Sequence, residues 1–241
     1  MTARDRLIFA LDVASAHEAL SLVKTLAGHV GVFKIGLELF TSEGPAIVKK
    51  VQDAGGQVFL DLKLHDIPTT VERTALLASK MNVRFLTVHA LGGRRMLEAA
   101  CRGAREGAGT GRESAKILAV TVLTSMEESD LRDLSLEGPT IAAAERFALL
   151  ADKATCYGVI ASAREARAIR EACRPNFAIV TPGIRPAGTD SDDQARFETP
   201  SSAIELGADL LVVGRPIRDA HDPAKAADDI VAEIERARPA A

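Results

Sequence analysis

Cysteine is scarce in this chain. Cys101, Cys156 and Cys173 are the only three in 241 residues. An odd number without paired spacing excludes a disulfide framework and a short-spaced zinc site. They read as three reduced thiols in a cytoplasmic protein. Long apolar runs are missing too: none approaches the roughly 18 residues needed to cross a bilayer, so no membrane segment is expected. Residues 1–6 lead into an apolar strand too short for a signal-peptide core, and no cleavage pattern follows. Charge of one sign is not in excess. The formal net charge of -3 argues against the basic surface that nucleic-acid binding needs, while leaving room for a local anion site. No linker, low-complexity tract or charge block divides the chain, so residues 1–241 read as one domain. What is present is 47% hydrophobic and 26% charged residues, enough for a sizeable core.

Short β-branched runs alternate with helix-like segments from end to end. Strands are expected at 7–13, 30–39, 57–64, 83–91, 116–124, 158–163, 177–182 and 208–214. Ser15-Ala16-His17-Glu18 has the form of a capping box, with Leu20, Val23 and Ala27 on one stripe behind it. Asp222-Pro223 supplies an N-cap and a first-turn proline before Ala226, Ile230 and Ile234. Eight such strand–helix units in a chain of about this size predict a (β/α)₈ TIM barrel. The alternative, a doubly wound open sheet, usually carries a glycine fingerprint after its first strand. Here that strand ends Ala10-Leu11-Asp12 without glycine. The connection 183–199 is long and polar, which suits a lid or binding loop.

Period two along 57–64 puts Val58, Leu60, Leu62 and Leu64 on one face, and Phe59, Asp61 and Lys63 on the other. Asp61 and Lys63 then face the barrel axis near the C-terminal mouth, with α-carbons about 6.6 Å apart at strand rise. A structural ion pair would use the same spacing. Burying charge is costly unless further partners satisfy it, which favours a functional reason. Lys34 is either a second cation of the site or a snorkelling strand lysine. Asp12 is either a cap or a ligand. Asp66 has the wrong parity for the Asp61 face, and locally it suits the start of a helix opened by Pro68. His89, at a strand end, suits a structural role.

Asp61-x-Lys63-x-x-Asp66-Ile67 resembles the signature of the orotidine 5′-phosphate decarboxylase superfamily. Five more stretches occur in that family's order: Ala10-Leu11-Asp12, Phe33-Lys34-Ile35-Gly36, Thr87-Val88-His89-Ala90, Thr181-Pro182-Gly183-Ile184-Arg185-Pro186 and Leu211-Val212-Val213-Gly214-Arg215-Pro216-Ile217. The resemblance spans nearly the whole chain. It implies removal of carbon dioxide from C6 of a pyrimidine nucleotide without cofactor or metal, orotidine 5′-phosphate giving UMP. Lys63 would protonate C6 within a Lys34-Asp61-Lys63-Asp66 array. Thr124 would bind the pyrimidine edge, and Asp12 and Lys34 the ribose hydroxyls. Gly214, Arg215 and Gln194 would hold the phosphate, assisted by Arg185 and with Pro182 lining the site. It further implies a homodimer with composite sites, in which Asp66, Ile67 and Thr70 reach the neighbour's pocket. Relatives that use the same frame on sugar phosphates bind magnesium through an acidic residue on strand two. This chain has Lys34 there, and an ammonium would repel the ion. A non-catalytic nucleotide-binding barrel is a further alternative, but it is expected to have lost Lys63, Asp61 or Arg215.

Overall fold

The computed structural model describes residues 1–186 and 198–237. The strands are β1 (Leu7–Ala10), β2 (Val32–Ile35), β3 (Val58–Leu64), β4 (Phe85–His89), β5 (Lys116–Val120), β6 (Gly158–Ile160), β7 (Ala178–Thr181) and β8 (Leu210–Val213). They form a closed barrel in chain order. The helices are α1 (Ala16–Leu26), α2 (Leu37–Glu43), α3 (Ala46–Asp53), α4 (Pro68–Lys80), α5 (Gly93–Ala108), α6 (Glu128–Asp133), α7 (Thr140–Lys153), α8 (Ala163–Ala172), α9 (Pro200–Glu205), α10 (Arg215–Arg218) and α11 (Pro223–Arg236). The expected (β/α)₈ fold is the observed one. By internal contacts the chain divides into two compact units, Met1–Asp61 with Thr181–Ala241, and Leu62–Val180.

In the first unit, β1 pairs in parallel with β2 and β8, and β2 pairs with the start of β3. Every residue of β1 and β8 is buried, as expected for parallel strands covered on both faces. Phe9 and Phe33, partners in register, meet edge to face at 6.3 Å. Ser15 Oγ accepts the Glu18 N–H to cap α1, and Asp222 accepts the Lys225 N–H to cap α11. The buried stripes are Ala19–Val23–Leu26 and Ala227–Ile230–Ile234. Each is displaced by a residue at one or two positions from the expected one.

In the second unit, β4 to β7 pair in succession. Helices α4 and α5 approach each other very closely. A Cβ on Gly103 would stand 2.0 Å from the Glu72 carbonyl oxygen, and one on Gly107 2.2 Å from that of Leu76. Arg102 closes the same seam with a two-pronged bond to the Glu72 carboxylate, whose guanidinium holds that carboxyl below its ordinary pKa.

All eight expected strands occur, but most end early. The expected strand 30–39 stops at Ile35, and Gly36 caps α2. Leu37 and Leu39 would share a strand face, yet Leu39 is buried and Leu37 is exposed, the pattern of a helix. Likewise β5 stops at Val120, so Thr124 lies on the exposed loop beyond it rather than on the strand.

Candidate active site

Seven expected site residues lie at or just beyond the C-terminal ends of strands: Asp12 after β1, Lys34 in β2, Asp61 and Lys63 in β3, Thr124 after β5, Pro182 after β7 and Gly214 after β8. That is the end of a parallel barrel where loops converge and chemistry is built.

Within the first unit, Lys34 is the hub. Its Nζ lies 2.9 Å from Asp12 Oδ1 and 3.8 Å from Asp61 Oδ2. The side chains of Lys34 and Asp61 are each only 12% exposed, whereas Asp12 is 55% exposed. One ammonium thus offsets two carboxylates, one sheltered and one facing solvent. A buried charge pair of this kind is tolerable only because each member has a partner. The strand register explains the placement: Ala10 pairs with Lys34, and Lys34 with Phe59, two residues before Asp61. Small residues leave the necessary room. A Cβ on Gly36 would lie 3.3 Å from Lys34 Nζ, and one on Gly214 3.6 Å from Asp12 Oδ2. Arg218 Nη1 donates to the Asp12 carbonyl at 2.9 Å. Its guanidinium also grips Asp219, which holds that carboxyl below its usual range and pushes Arg218 up. Gly214 caps α10 and is half-buried, and Arg215 is exposed at the first helical position. Pro182 and Arg185 follow β7. The Arg185 N–H donates to the Glu198 carbonyl at 3.1 Å, and a parallel bridge joins Ile184 to Glu198. Gln194 lies outside the described residues.

Within the second unit, Lys63 adopts φ +47°. A left-handed backbone is uncommon for a residue with a side chain, and such residues cluster at functional sites. Its N–H donates to Thr87 Oγ1 on β4 at 2.9 Å, and Thr87 is fully buried. The period-two expectation therefore ends at Leu62, because the backbone turns at Lys63 rather than continuing the pleat. Asp66 is exposed, and its Oδ1 accepts the Ile67 N–H at 2.6 Å, stabilising the turn into α4 as its local sequence suggests. Ile67 is 67% exposed, and Thr70 is exposed beside it. His65 and His89 stack with ring centroids 5.6 Å apart. His89 Nδ1 accepts the Leu91 N–H, which supports its structural reading. Burial, followed by the charges of His65 and Lys63, holds its pKa below the ordinary value.

Among the described residues no group of three or more His, Cys, Asp and Glu side chains could hold a metal ion, and no helix is long and apolar enough to cross a membrane. A family model described as "Orotidine 5'-phosphate decarboxylase / HUMPS family" matches residues 5–230. The chain belongs to that family. A Moorella thermoacetica protein named orotidine 5′-phosphate decarboxylase is 50% identical over 237 residues, covering 98% of this chain and 94% of its own. A Syntrophotalea carbinolica protein of the same name is 49% identical, with 96% of both chains covered. The solved structure of orotidine 5′-phosphate decarboxylase from Lactobacillus acidophilus matches with a TM-score of 0.85 at 37% identity, covering 95% of this chain and 98% of that one.

Family motifs marked the charged residues. They include Thr87 without revealing that it fixes the backbone of Lys63, and they stop short of Arg218, which bonds the carbonyl of Asp12. The role of Thr87 becomes visible only once β3 turns at Lys63. Arg218 is 206 positions from Asp12, beyond any local pattern.

Proposed function

We propose that this chain decarboxylates orotidine 5′-phosphate to UMP and carbon dioxide, as a single catalytic domain and without a cofactor. The observation that carries this reading is the sheltered Asp61–Lys34 pair on the strand that presents Lys63 two residues later, in a chain of this family. The C6–carboxyl bond breaks, its electron pair stays on C6, and the Lys63 ammonium delivers the proton there. Solvent then reprotonates the lysine. Lys34, Asp61 and Asp66 hold fixed charge around the reacting carbon, so little reorganisation is needed as negative charge develops. Asp12 and Lys34 bind the ribose hydroxyls, and Thr124 the pyrimidine edge. The Gly214 main chain, Arg215, Arg185 and Gln194 hold the phosphate, a remote anchor whose binding energy orients the ring. Pro182 lines that end.

The catalytic unit is a homodimer with composite sites, Asp66, Ile67 and Thr70 serving the neighbouring subunit. Their exposure leaves them available for that role. Its place is the cytoplasm, which suits three free thiols.

Magnesium-dependent sugar-phosphate chemistry is the second reading within the same family frame. The 2.9 Å contact of Lys34 Nζ with Asp12 weighs against it, because the position that would ligate the ion already carries a cation. The deciding assay follows pyrimidine absorbance on mixing protein with orotidine 5′-phosphate, with and without a chelator. Equal turnover in both is expected. No turnover would sink the decarboxylase reading, and turnover lost to the chelator would favour the metal-dependent one. Lys63→Ala should abolish turnover while UMP still binds; near-wild-type turnover would remove Lys63 from the mechanism.

A further inference from the structure

The scarce cysteines are not scattered. Cys101, on α5, and Cys156, just before β6, are 55 positions apart, yet their sulfurs lie 3.8 Å from each other. Both thiols are free. Cys101 borders a cavity of about 470 Å³ that is also lined by Arg105, Lys116, Thr155, Tyr157 and Arg174, while Cys156 lies behind it, fully buried.

Three features make this more than two thiols in a core. First, Thr155 adopts φ +63°, a true outlier for a β-branched residue. Its N–H is tied to the Asp152 carbonyl at 2.9 Å, and it lines the same cavity as Cys101. Second, Arg174 is held beside the pair by the Asp152 carboxylate and the Cys156 carbonyl, and Arg105 adds a second positive charge. Third, the two sulfurs are unequal. The contact with Cys156, the two arginines and Thr155 together pull the Cys101 thiol down against its burial. The same contact, together with burial, pushes Cys156 up. Cys101, which borders the cavity beside Arg105 and Arg174, is thus the sulfur that an incoming oxidant meets first, with the fully buried Cys156 next to it.

We propose that Cys101 and Cys156 form a dithiol site that takes hydrogen peroxide and closes to a disulfide. The Cys101 thiolate attacks a peroxide oxygen: an S–O bond forms, the O–O bond breaks, and the departing hydroxide takes up a proton to become water. Cys156 sulfur then attacks the resulting sulfenic acid. The S–S bond forms, the S–O bond breaks, and the second hydroxide leaves as water with the Cys156 proton. Two thiols are oxidised and one peroxide is reduced to two waters. A disulfide of about 2.05 Å requires the sulfurs to approach from 3.8 Å. Cys173, half-buried and pushed up by its burial, has neither a thiol neighbour nor the cavity and serves as internal reference.

The test treats the reduced, full-length protein with hydrogen peroxide, blocks remaining thiols with an alkylating agent and maps peptides without reduction. The expected result is a Cys101–Cys156 cross-link, reversed by dithiothreitol, with Cys173 still alkylated. In Cys156→Ser, dimedone should trap a sulfenic acid on Cys101, and in Cys101→Ser the Cys156 thiol should stay reduced. The proposal is overturned if wild-type Cys101 and Cys156 remain alkylated at peroxide doses that oxidise Cys173, or if dimedone labels Cys173 rather than Cys101. Thermal melts establish that the variants are folded; should either fail to fold, the wild-type map decides alone.

Discussion

Lys63 pairs an uncommon backbone with a proposed proton transfer, and the two are connected through Thr87. Holding φ +47° costs on the order of 1–3 kcal/mol and persists only where neighbours over-determine it. The Thr87 hydroxyl supplies such a constraint by accepting the Lys63 N–H. Thr87→Val keeps the shape but removes that acceptor from the Lys63 N–H, at a cost of about 1–3 kcal/mol. Steady-state kinetics should show kcat falling roughly tenfold or more with KM little changed, and Thr87→Ser should recover most of it. An equal loss in both variants would mean that packing, not the hydrogen bond, matters. His89 gives a pH prediction with a definite sign. Its folded pKa is lowered, so the unfolded chain binds protons more readily than the folded one. Stability should therefore fall as pH drops through the ordinary histidine range, and level off only below the folded value. His89→Asn keeps an acceptor for the Leu91 N–H without titrating. Its melting temperature should decline less than that of the wild type between about pH 7 and about pH 5. Equal declines would assign the effect to other groups.

At the scale of elements, alternation of strands and helices was legible because burial on both faces of a parallel sheet leaves a composition that a single sequence displays. Ends were less legible. Leu37 and Leu39 are as apolar as strand residues, and only tertiary packing decides that one is covered and the other is not. Asp12, Lys34 and Asp61 could be marked because each is a charged residue in or just after an apolar strand run. The roles of Thr87, Arg218 and the Cys101–Cys156 pair could not be read, because their partners lie 24, 206 and 55 positions away. The seam between α4 and α5 belongs to the same class. Alanine is the better helix former by about 1 kcal/mol, so intrinsic preference alone favours Gly103→Ala. The Cβ would instead stand 2.0 Å from a backbone oxygen of α4 and must push the helices apart, costing about 1–3 kcal/mol. The variant should therefore melt several degrees lower. Since α4 begins two residues after Asp66, it should also lose activity. A rise in melting temperature would show that the seam is slack.

At the scale of the whole molecule, the composite-site proposal makes the active unit larger than one chain. Lys63→Ala and Asp66→Ala are each expected to be inactive alone. If Asp66 serves the partner, a mixed dimer contains one site with both residues intact, and an equal mixture should regain about a quarter of wild-type activity, as a symmetric interface dictates. If each site is built from one chain, mixing restores nothing. The parallel bridge between Ile184 and Glu198 has a different consequence. It is made by main-chain atoms, the Arg185 N–H donating to the Glu198 carbonyl, so the backbone keeps its course there whatever side chain stands at position 185, proline excepted. Evolution is therefore free to change the charge carried at that position without redrawing the chain that presents it.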